Sequence, residues 1–184
     1  MKIRITFLII CVILSFKLSL NAQNTPESVI KLTKTKIIGW VSSDKIISAV
    51  KAQNAKNISL EKIKSLDKKW TETSGLDDFM NEILNNQCSE YLKSLRKENK
   101  FVIEAFVMDN KGANVGMTNK TSDYWQGDED KFIKCYNNGN GTTFYGKVAF
   151  DESTQTYLIQ VSVPVVEGGK TIGAVTFGID VNSL

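Results

Sequence analysis

The most unusual stretch of the sequence is a polar loop, residues 121–129, that holds two adjacent aromatic residues, Tyr124 and Trp125. Neither follows the apolar periodicity of a core helix or strand. Aromatic faces offer apolar contact or attract cations, and Asp123 and Gln126 beside them can orient polar atoms of a ligand. The loop therefore predicts a small-molecule site. The same pattern also fits a loop in which Trp125 only plugs the loop onto the core.

Polar residues on the predicted strands supply a floor for this site. The segment 156–166 alternates, so that Tyr157, Ile159, Val161 and Val163 are expected to face helices while Gln160 and Ser162 face the opposite way. Two acids complete the predicted ligand-binding set, Glu104 in an earlier strand and Asp151 in a turn. With Asp123, their carboxylates would suit a cationic ligand such as an amine.

Several kinds of catalysis are excluded by composition. The chain has no histidine, which removes Ser-His-Asp and Cys-His catalysis and the commonest zinc ligand. Paired acids at 128–130 and 151–152 fit a helix start and a turn, where acids are favoured for structural reasons. We therefore assign no catalytic residue, no cofactor and no metal site. An enzyme that uses the carboxylates or a metal is the least favoured alternative.

The first 22 residues are typical of a secretory signal peptide. Lys2 and Arg4 precede an apolar run at 5–16, and Ala22 provides a small residue for cleavage. The run is shorter than the roughly 20 residues of a membrane-spanning helix, although an uncleaved anchor remains an alternative. Residues 23–184 contain 20 basic and 20 acidic residues, so the charge does not favour a nucleic-acid partner. We expect a periplasmic or secreted protein.

The hydrophobic pattern changes from helical to strand-like near residue 99. Residues 23–99 show helical stripes at about 25–52, 59–73 and 76–98, and residues 100–184 contain five strands, at 101–109, 113–118, 143–150, 156–166 and 171–180. The two parts form one α+β domain, with long N-terminal helices packed on one face of a five-stranded antiparallel sheet. The segment 119–137 is expected to cover the other face.

Two cysteines, Cys88 and Cys135, follow the predicted signal peptide. An oxidising compartment would permit a disulfide between them. Cys88 also fits as a buried thiol on the apolar face of the third helix. Both alternatives are open at the level of the sequence.

Two sequence blocks resemble the periplasmic Cache or PDC sensor family, an extracellular PAS-like fold. They are Val107-Met108-Asp109-Asn110-Lys111-Gly112-Ala113-Asn114-Val115 and Thr121-Ser122-Asp123-Tyr124-Trp125-Gln126-Gly127-Asp128-Glu129, and the strand at 159–165 continues the likeness. The resemblance implies a long helix behind an antiparallel sheet, with a ligand pocket on the opposite face under the loop of Tyr124 and Trp125. Arg96, the only arginine after the signal segment, lies on a helix, so the arginine that amino-acid-binding relatives use has no evident counterpart.

The resemblance also implies a function. Relatives of this kind form the sensing end of transmembrane kinases or chemoreceptors. Because no further domain follows the last strand, we expect an exported stand-alone sensor that binds a small molecule and passes its state to a membrane sensor kinase, a chemoreceptor or another envelope partner. The alternative is a PAS-like interaction module with a filled pocket that acts through its helices.

Overall fold

A computed structural model describes residues 24–152 and 155–184. The predicted signal peptide lies outside the described residues. The helical part comprises α1 (Glu27–Leu32), a π-helical turn (Thr33–Ile37), α2 (Ile38–Val41), α3 (Asp44–Ala55), α4 (Leu60–Glu72), α5 (Asp78–Leu84) and α6 (Gln87–Glu98); a further helix, α7 (Asp130–Tyr136), follows the second strand.

The helix starts carry side-chain caps. Ser43, Ser59, Asp77 and Asn86 each accept a hydrogen bond from a backbone N–H of the first turn of α3, α4, α5 and α6 respectively. A cap of this kind satisfies a backbone donor that has no partner within the helix. The caps at Ser43 and Asn86 begin new helices within stretches whose apolar stripe is continuous in the sequence. The predicted single helices at 25–52 and 76–98 are therefore each interrupted.

The strands form one antiparallel sheet. They are β1 (Val102–Met108), β2 (Asn114–Met117), β3 (Phe144–Tyr145), β4 (Ala149–Asp151), β5 (Thr156–Glu167) and β6 (Lys170–Asp180). The order is β2-β1-β6-β5-β3, and β4 also pairs with β5. The predicted strand at 143–150 is thus two short strands on the same edge. Gly146 separates them, and a Cβ there would lie 3.3 Å from the Gln160 carbonyl oxygen. The predicted α+β class with an antiparallel sheet is confirmed. The sheet has six strands instead of five, because β3 and β4 both pair with β5.

One face of the sheet packs on α1, α2, α3 and α6 and forms an aliphatic core, which we call the helix-side core. Its strand residues include Ala105, Val107, Ile159, Val161, Val163, Val175 and Phe177, and its helix residues include Val29, Ile37, Ile46, Val50 and Leu92. The strand alternation predicted for Ile159, Val161 and Val163 is confirmed. Tyr157 was wrongly placed there, because its side chain is 50% exposed and contacts the Phe150 ring instead.

The other face packs on α4, α5, α7 and the loop 119–129 and forms what we call the loop-side core. Its members are mostly aromatic residues, methionines and small residues: Ile63, Trp70, Met80, Ile83, Leu84, Phe106, Met108, Ala113, Met117, Tyr124, Phe132, Cys135 and Ala174. On the helix side, long-range hydrogen bonds also hold the end of α3 against the sheet. Asn54 donates to the Ile172 carbonyl and accepts from the Asn110 N–H, which fixes the end of α3 to the sheet.

The two cysteines belong to different cores and are not joined. Cys88 lies in the helix-side core and Cys135 in the loop-side core, and both are free thiols. Burial raises the pKa of each thiol to about 12. The structure therefore favours the buried-thiol alternative over the disulfide.

Candidate functional site

A cavity of about 620 Å³ lies at the β2 edge of the sheet, between α3, α5 and the start of α6. Its volume is in the range typical of small-molecule sites. Apolar residues form much of the wall, and a few polar residues interrupt it. The lining includes Ala49, Ala52, Ile58, Phe79, Ile83 and Val115, with Gln53, Asn86, Asn114 and Tyr124 as neutral polar members.

Tyr124 is the predicted site residue that lines this cavity. Its side chain is 1% exposed, and its ring lies 5.1 Å from that of Phe79 and 5.8 Å from that of Trp70. Burial raises the pKa of the Tyr124 hydroxyl above its ordinary value; the Asp109 carboxylate raises it further, and a hydrogen bond with Gln53 lowers it. The hydroxyl therefore stays protonated at neutral pH and can donate or accept a hydrogen bond.

Asn114 carries an unpartnered acceptor in the cavity wall. It is 1% exposed, and its amide nitrogen donates to Thr121 Oγ1 at 2.9 Å and to the Asp123 carbonyl at 3.1 Å. Its Oδ1 is buried and accepts no hydrogen bond from any described residue. A buried acceptor without a partner costs about 1–3 kcal/mol. A ligand that donates a hydrogen bond there would recover that cost.

The loop that carries Tyr124 is tied to α4 through its backbone. Asp67 Oδ1 accepts from the backbone N–H of Tyr124 at 2.8 Å and from that of Trp125 at 2.9 Å. Trp70 Nε1 donates to the Thr121 carbonyl at 2.8 Å. Hydrogen bonds to a charged acceptor are stronger than those between neutral groups. Asp67 therefore fixes the position from which Tyr124 enters the cavity.

Trp125 points to α4 and to the β1–β2 turn and does not line the cavity. Its Nε1 donates to the Lys111 carbonyl at 2.7 Å, and Lys64 Nζ lies 4.6 Å from the ring centroid. The ring also covers Gly127, where a Cβ would come within 2.6 Å of the indole. These contacts agree with the alternative that the sequence left open, in which Trp125 packs the loop against the core and does not contact a ligand.

Three of the predicted ligand-binding residues line a second, smaller recess of about 220 Å³. Glu104, Asp151 and Gln160 meet there beside Lys147 and Phe150, and Gln160 Nε2 donates to Glu104 Oε1 at 3.3 Å. Glu104 folds over Gly178, where a Cβ would lie 2.6 Å from Glu104 Cγ. The recess and the cavity share no lining residue. Tyr124 therefore lines a different recess from Glu104 and Gln160, and the predicted arrangement with Tyr124 above these two residues stays a prediction.

The remaining predicted residues are used in internal contacts. Ser162 is fully buried and shares a 2.8 Å hydrogen bond with Thr176 Oγ1. The Gln126 amide nitrogen donates to the Asp123 carbonyl, and Gln126 Oε1 is buried and unpartnered among the described residues. The Asp123 carboxylate accepts from the Ser122 hydroxyl at 2.7 Å. Whether any of the eight predicted residues binds a ligand stays a prediction.

Reasoning from the sequence missed Gln53, Asn86 and Asn114. Asn86 both caps α6 and donates to the Val115 carbonyl at 2.8 Å, so it joins the helix to the edge strand. An asparagine within the short, otherwise apolar strand β2 was the signal that could have identified Asn114. Gln53 gave no such signal, because its place at the cavity follows from the docking of α3 on the sheet.

Two other kinds of feature are absent from the part of the chain that the structure describes. In residues 24–152 and 155–184, no group of three or more Cys, Asp or Glu side chains could hold a metal ion. Over the same residues, no helix has the length and apolarity needed to cross a bilayer.

Comparisons with known proteins identify similar solved structures. The sensor domain of the histidine kinase DctB of Vibrio cholerae has 14% identity and a TM-score of 0.43, with 85% of this chain and 51% of that chain covered. The ligand-binding domain of the Campylobacter jejuni chemoreceptor Tlp3, solved with 4-methylisoleucine, has 19% identity and a TM-score of 0.41, with 82% and 62% covered. The extracellular domain of vpHK1S-Z8, named as a histidine kinase, has 9% identity and a TM-score of 0.48, with 84% and 52% covered.

These similar structures are sensor, ligand-binding or extracellular domains of kinases and chemoreceptors, the class that the sequence motifs resemble. The chain spans 51–62% of their lengths. At identities of 9–19% and TM-scores of 0.41–0.48, the likeness concerns the fold alone. No protein-family model matches the sequence, and no curated protein matches it.

Proposed function

We propose that this protein is a Cache-type or PDC-type sensor module that binds a small molecule in the cavity between α3, α5 and β2. The observation that carries the proposal is the wall of this cavity, to which the buried Tyr124 and Asn114 both contribute, and Asn114 Oδ1 has no hydrogen-bond partner among the described residues. A largely apolar pocket with a few convergent polar groups is the usual form of a small-molecule site. Nothing in this arrangement requires a catalytic step.

The cavity wall indicates the chemistry of the ligand. Asn114 lines the cavity and its Oδ1 has no partner among the described residues, so a ligand that reaches this atom would carry an N–H or O–H group together with an apolar part. Two acids, Asp44 and Glu82, and two lysines, Lys45 and Lys56, contribute to the lining. Their charges balance, so the cavity does not by itself select a cation. The carboxylates that suggested a cationic ligand, Glu104 and Asp151, line the smaller recess.

We also propose that the protein acts outside the cytoplasm and contacts a membrane-bound partner. The pattern at residues 1–22 supports export from the cytoplasm, which would place the cavity where it can sample external metabolites. A membrane sensor kinase or a chemoreceptor is the partner class that the family resemblance supports. Ligand contacts with both α3 and the loop of Tyr124 would couple occupancy to the position of the helices.

A cavity-blocking substitution tests the proposed site. Ala52 and Ala55 are both exposed residues of α3, and of these two Ala52 lines the cavity and Ala55 does not. We expect a compound from a metabolite panel to raise the melting temperature of the wild-type protein, because a ligand that binds the native state stabilises it. Ala52→Trp should abolish this shift, and Ala55→Trp should keep it. A shift that survives Ala52→Trp would contradict the proposal.

The second candidate function is an interaction module without a ligand. The observation in its favour is the dense loop-side core, in which the Tyr124 ring packs between Trp70 and Phe79. If no compound of the panel changes the melting temperature while a purified sensor kinase ectodomain binds the chain, this second function is supported.

A further inference from the structure

A basic groove lies at the C-terminal end of α6, away from the candidate cavity. It has a volume of about 660 Å³ and runs between α6, the start of β1 and the end of β2. Its lining contains four cations and no acid: Lys93, Arg96, Lys97, Lys100, Val102, Ile103, Thr118 and Asn119. None of these residues lines the cavity of Tyr124 and Asn114.

Two of the four cations have internal partners and two do not. Lys93 pairs with Glu90 at 2.8 Å and donates to the Leu84 carbonyl, and Arg96 donates to Asn119. In the described part of the chain, Lys97 and Lys100 are exposed and form no ion pair or side-chain hydrogen bond. Glu98 lies within electrostatic reach of Tyr91 and is absent from the groove lining. The positive charge of the groove is therefore available to a partner.

The groove lies at the end of the sheet where β1 begins and β6 ends, close to the C-terminal end of the described chain. The Phe101 carbonyl, directly after Lys100, accepts from the Asp180 N–H at 2.9 Å, near the C-terminal Leu184. Lys36 of the N-terminal helical segment is 5.6 Å from the Phe101 ring centroid and adds another cation to this end. The opposite end carries the β1–β2 turn, where Asn54 meets Asn110.

The first residues of the sequence are suited to contact with a membrane. An apolar run at residues 5–16, preceded by Lys2 and Arg4, comes shortly before Asn24, where the described chain begins. Export brings such a chain to the surface of a bilayer, whether or not the segment is later removed. Lysines near an anionic bilayer surface each contribute roughly 1 kcal/mol of attraction.

We propose that the basic groove, with Lys97 and Lys100 as its free cations, docks this end of the domain on an anionic phospholipid bilayer. The occupant is the headgroup layer of the bilayer, and the contact is electrostatic. It would orient the domain with the end of β6 toward the membrane and the β1–β2 turn away from it. This inference is independent of the ligand proposed for the cavity.

Vesicle partitioning of the protein isolated after export, with the N-terminus that export leaves, tests the proposal. The vesicles contain either phosphatidylcholine alone or phosphatidylcholine with phosphatidylglycerol. We expect stronger partitioning to the anionic vesicles, and a decrease as salt is raised from 0.05 to about 0.3 M, because the Debye length shortens. The double variant Lys97→Gln/Lys100→Gln should lose about tenfold or more of this preference, since each lysine corresponds to roughly fivefold.

The matched control is Lys62→Gln/Lys69→Gln on α4, which removes the same charge from exposed positions outside the groove. The control should keep the anionic preference, and all three proteins should have the same melting temperature. If both double variants lost the same share of the preference for anionic vesicles, the preference would depend on net charge alone, and the proposal would be overturned. Competition by soluble glycerol phosphate at constant ionic strength would also overturn it, because the groove would then bind a free phosphate compound.

Discussion

The two faces of the sheet are packed by different kinds of residue. The helix-side core is made mainly of Val, Ile and Leu side chains, and Thr33, a buried polar residue of the π-helical turn, donates to the Val29 carbonyl. The loop-side core contains Trp70, Tyr124, methionines and a cysteine, and two buried acceptors beside it, Asn114 Oδ1 and Gln126 Oε1, have no partner among the described residues.

We infer from this difference that the helix-side core stabilises the fold, whereas the loop-side core can rearrange when a ligand binds. Aliphatic side chains with few rotamers produce a single packed arrangement, whereas flexible methionines and unpartnered polar groups leave a surface adaptable. The loop-side contacts also depend on a few specific bonds, such as those of Asp67. We therefore expect substitutions on the helix side to change stability and substitutions on the loop side to change ligand binding as well.

The largest effect is expected from the helix side. Leu92 is fully buried in the helix-side core, and Leu92→Ala should lower the free energy of unfolding by about 2–5 kcal/mol. Denaturant unfolding measures this change. The control Leu60→Ala, at a position that is 44% exposed, should change the value by less than about 0.5 kcal/mol. An unchanged midpoint for Leu92→Ala would mean that α6 does not pack on the sheet as described.

A smaller effect is expected where the loop joins α4. Asp67→Ala removes the acceptor of two backbone N–H groups and should cost about 1.5–3 kcal/mol, because hydrogen bonds to a charged group are involved. Glu72→Ala on the same helix removes an exposed carboxylate 3.8 Å from Lys68 and should cost less than about 1 kcal/mol. Hydrogen exchange at the amides of Tyr124 and Trp125 should increase only in Asp67→Ala. Unchanged protection of these two amides would show that Asp67 does not hold the loop.

The sequence predicted the fold class and the direction of the strands because these follow from local periodicity. The interruption at Asn85–Asn86 was missed because Leu84 and Cys88 remain on one helical face across it. What breaks the helix is the Asn86 side chain, which caps α6 and bonds to the distant Val115 carbonyl. Such a contact between separate parts of the chain has no local signature.

The same limit applied to the candidate site. Tyr124 was recognised because an aromatic residue in a polar loop is unusual, and the structure places it in the cavity. Glu104 and Gln160 were correctly placed on one face of the sheet, where they meet each other. Their separation from Tyr124 depends on how α7 and the loop fill that face, which strand alternation does not specify. Asn114 and Gln53 become part of one cavity wall only when α3 packs beside β2.

The smallest effect at neutral pH concerns the two thiols, one in each core. Burial raises the folded-state pKa of Cys88 and Cys135 from 9.0 to about 12, so the folded state holds these protons more tightly than the unfolded state. Their contribution to stability is therefore fully present below pH 9 and is lost as the pH rises toward 12. Unfolding measured at pH 7 to 11 should show this loss, and it should be smaller in Cys88→Ala/Cys135→Ala. An identical pH dependence in this double variant would contradict the assignment.

Native mass spectrometry of the protein isolated from the cells that naturally produce it tests the central claim most directly. The wild-type protein and Ala55→Trp should carry a bound small molecule, and Ala52→Trp should not, because Ala52 lines the cavity and Ala55 does not. Glu104→Gln, in the smaller recess, should keep the bound mass. A bound mass that persists in Ala52→Trp and disappears in Glu104→Gln would contradict the account and place the ligand in the recess.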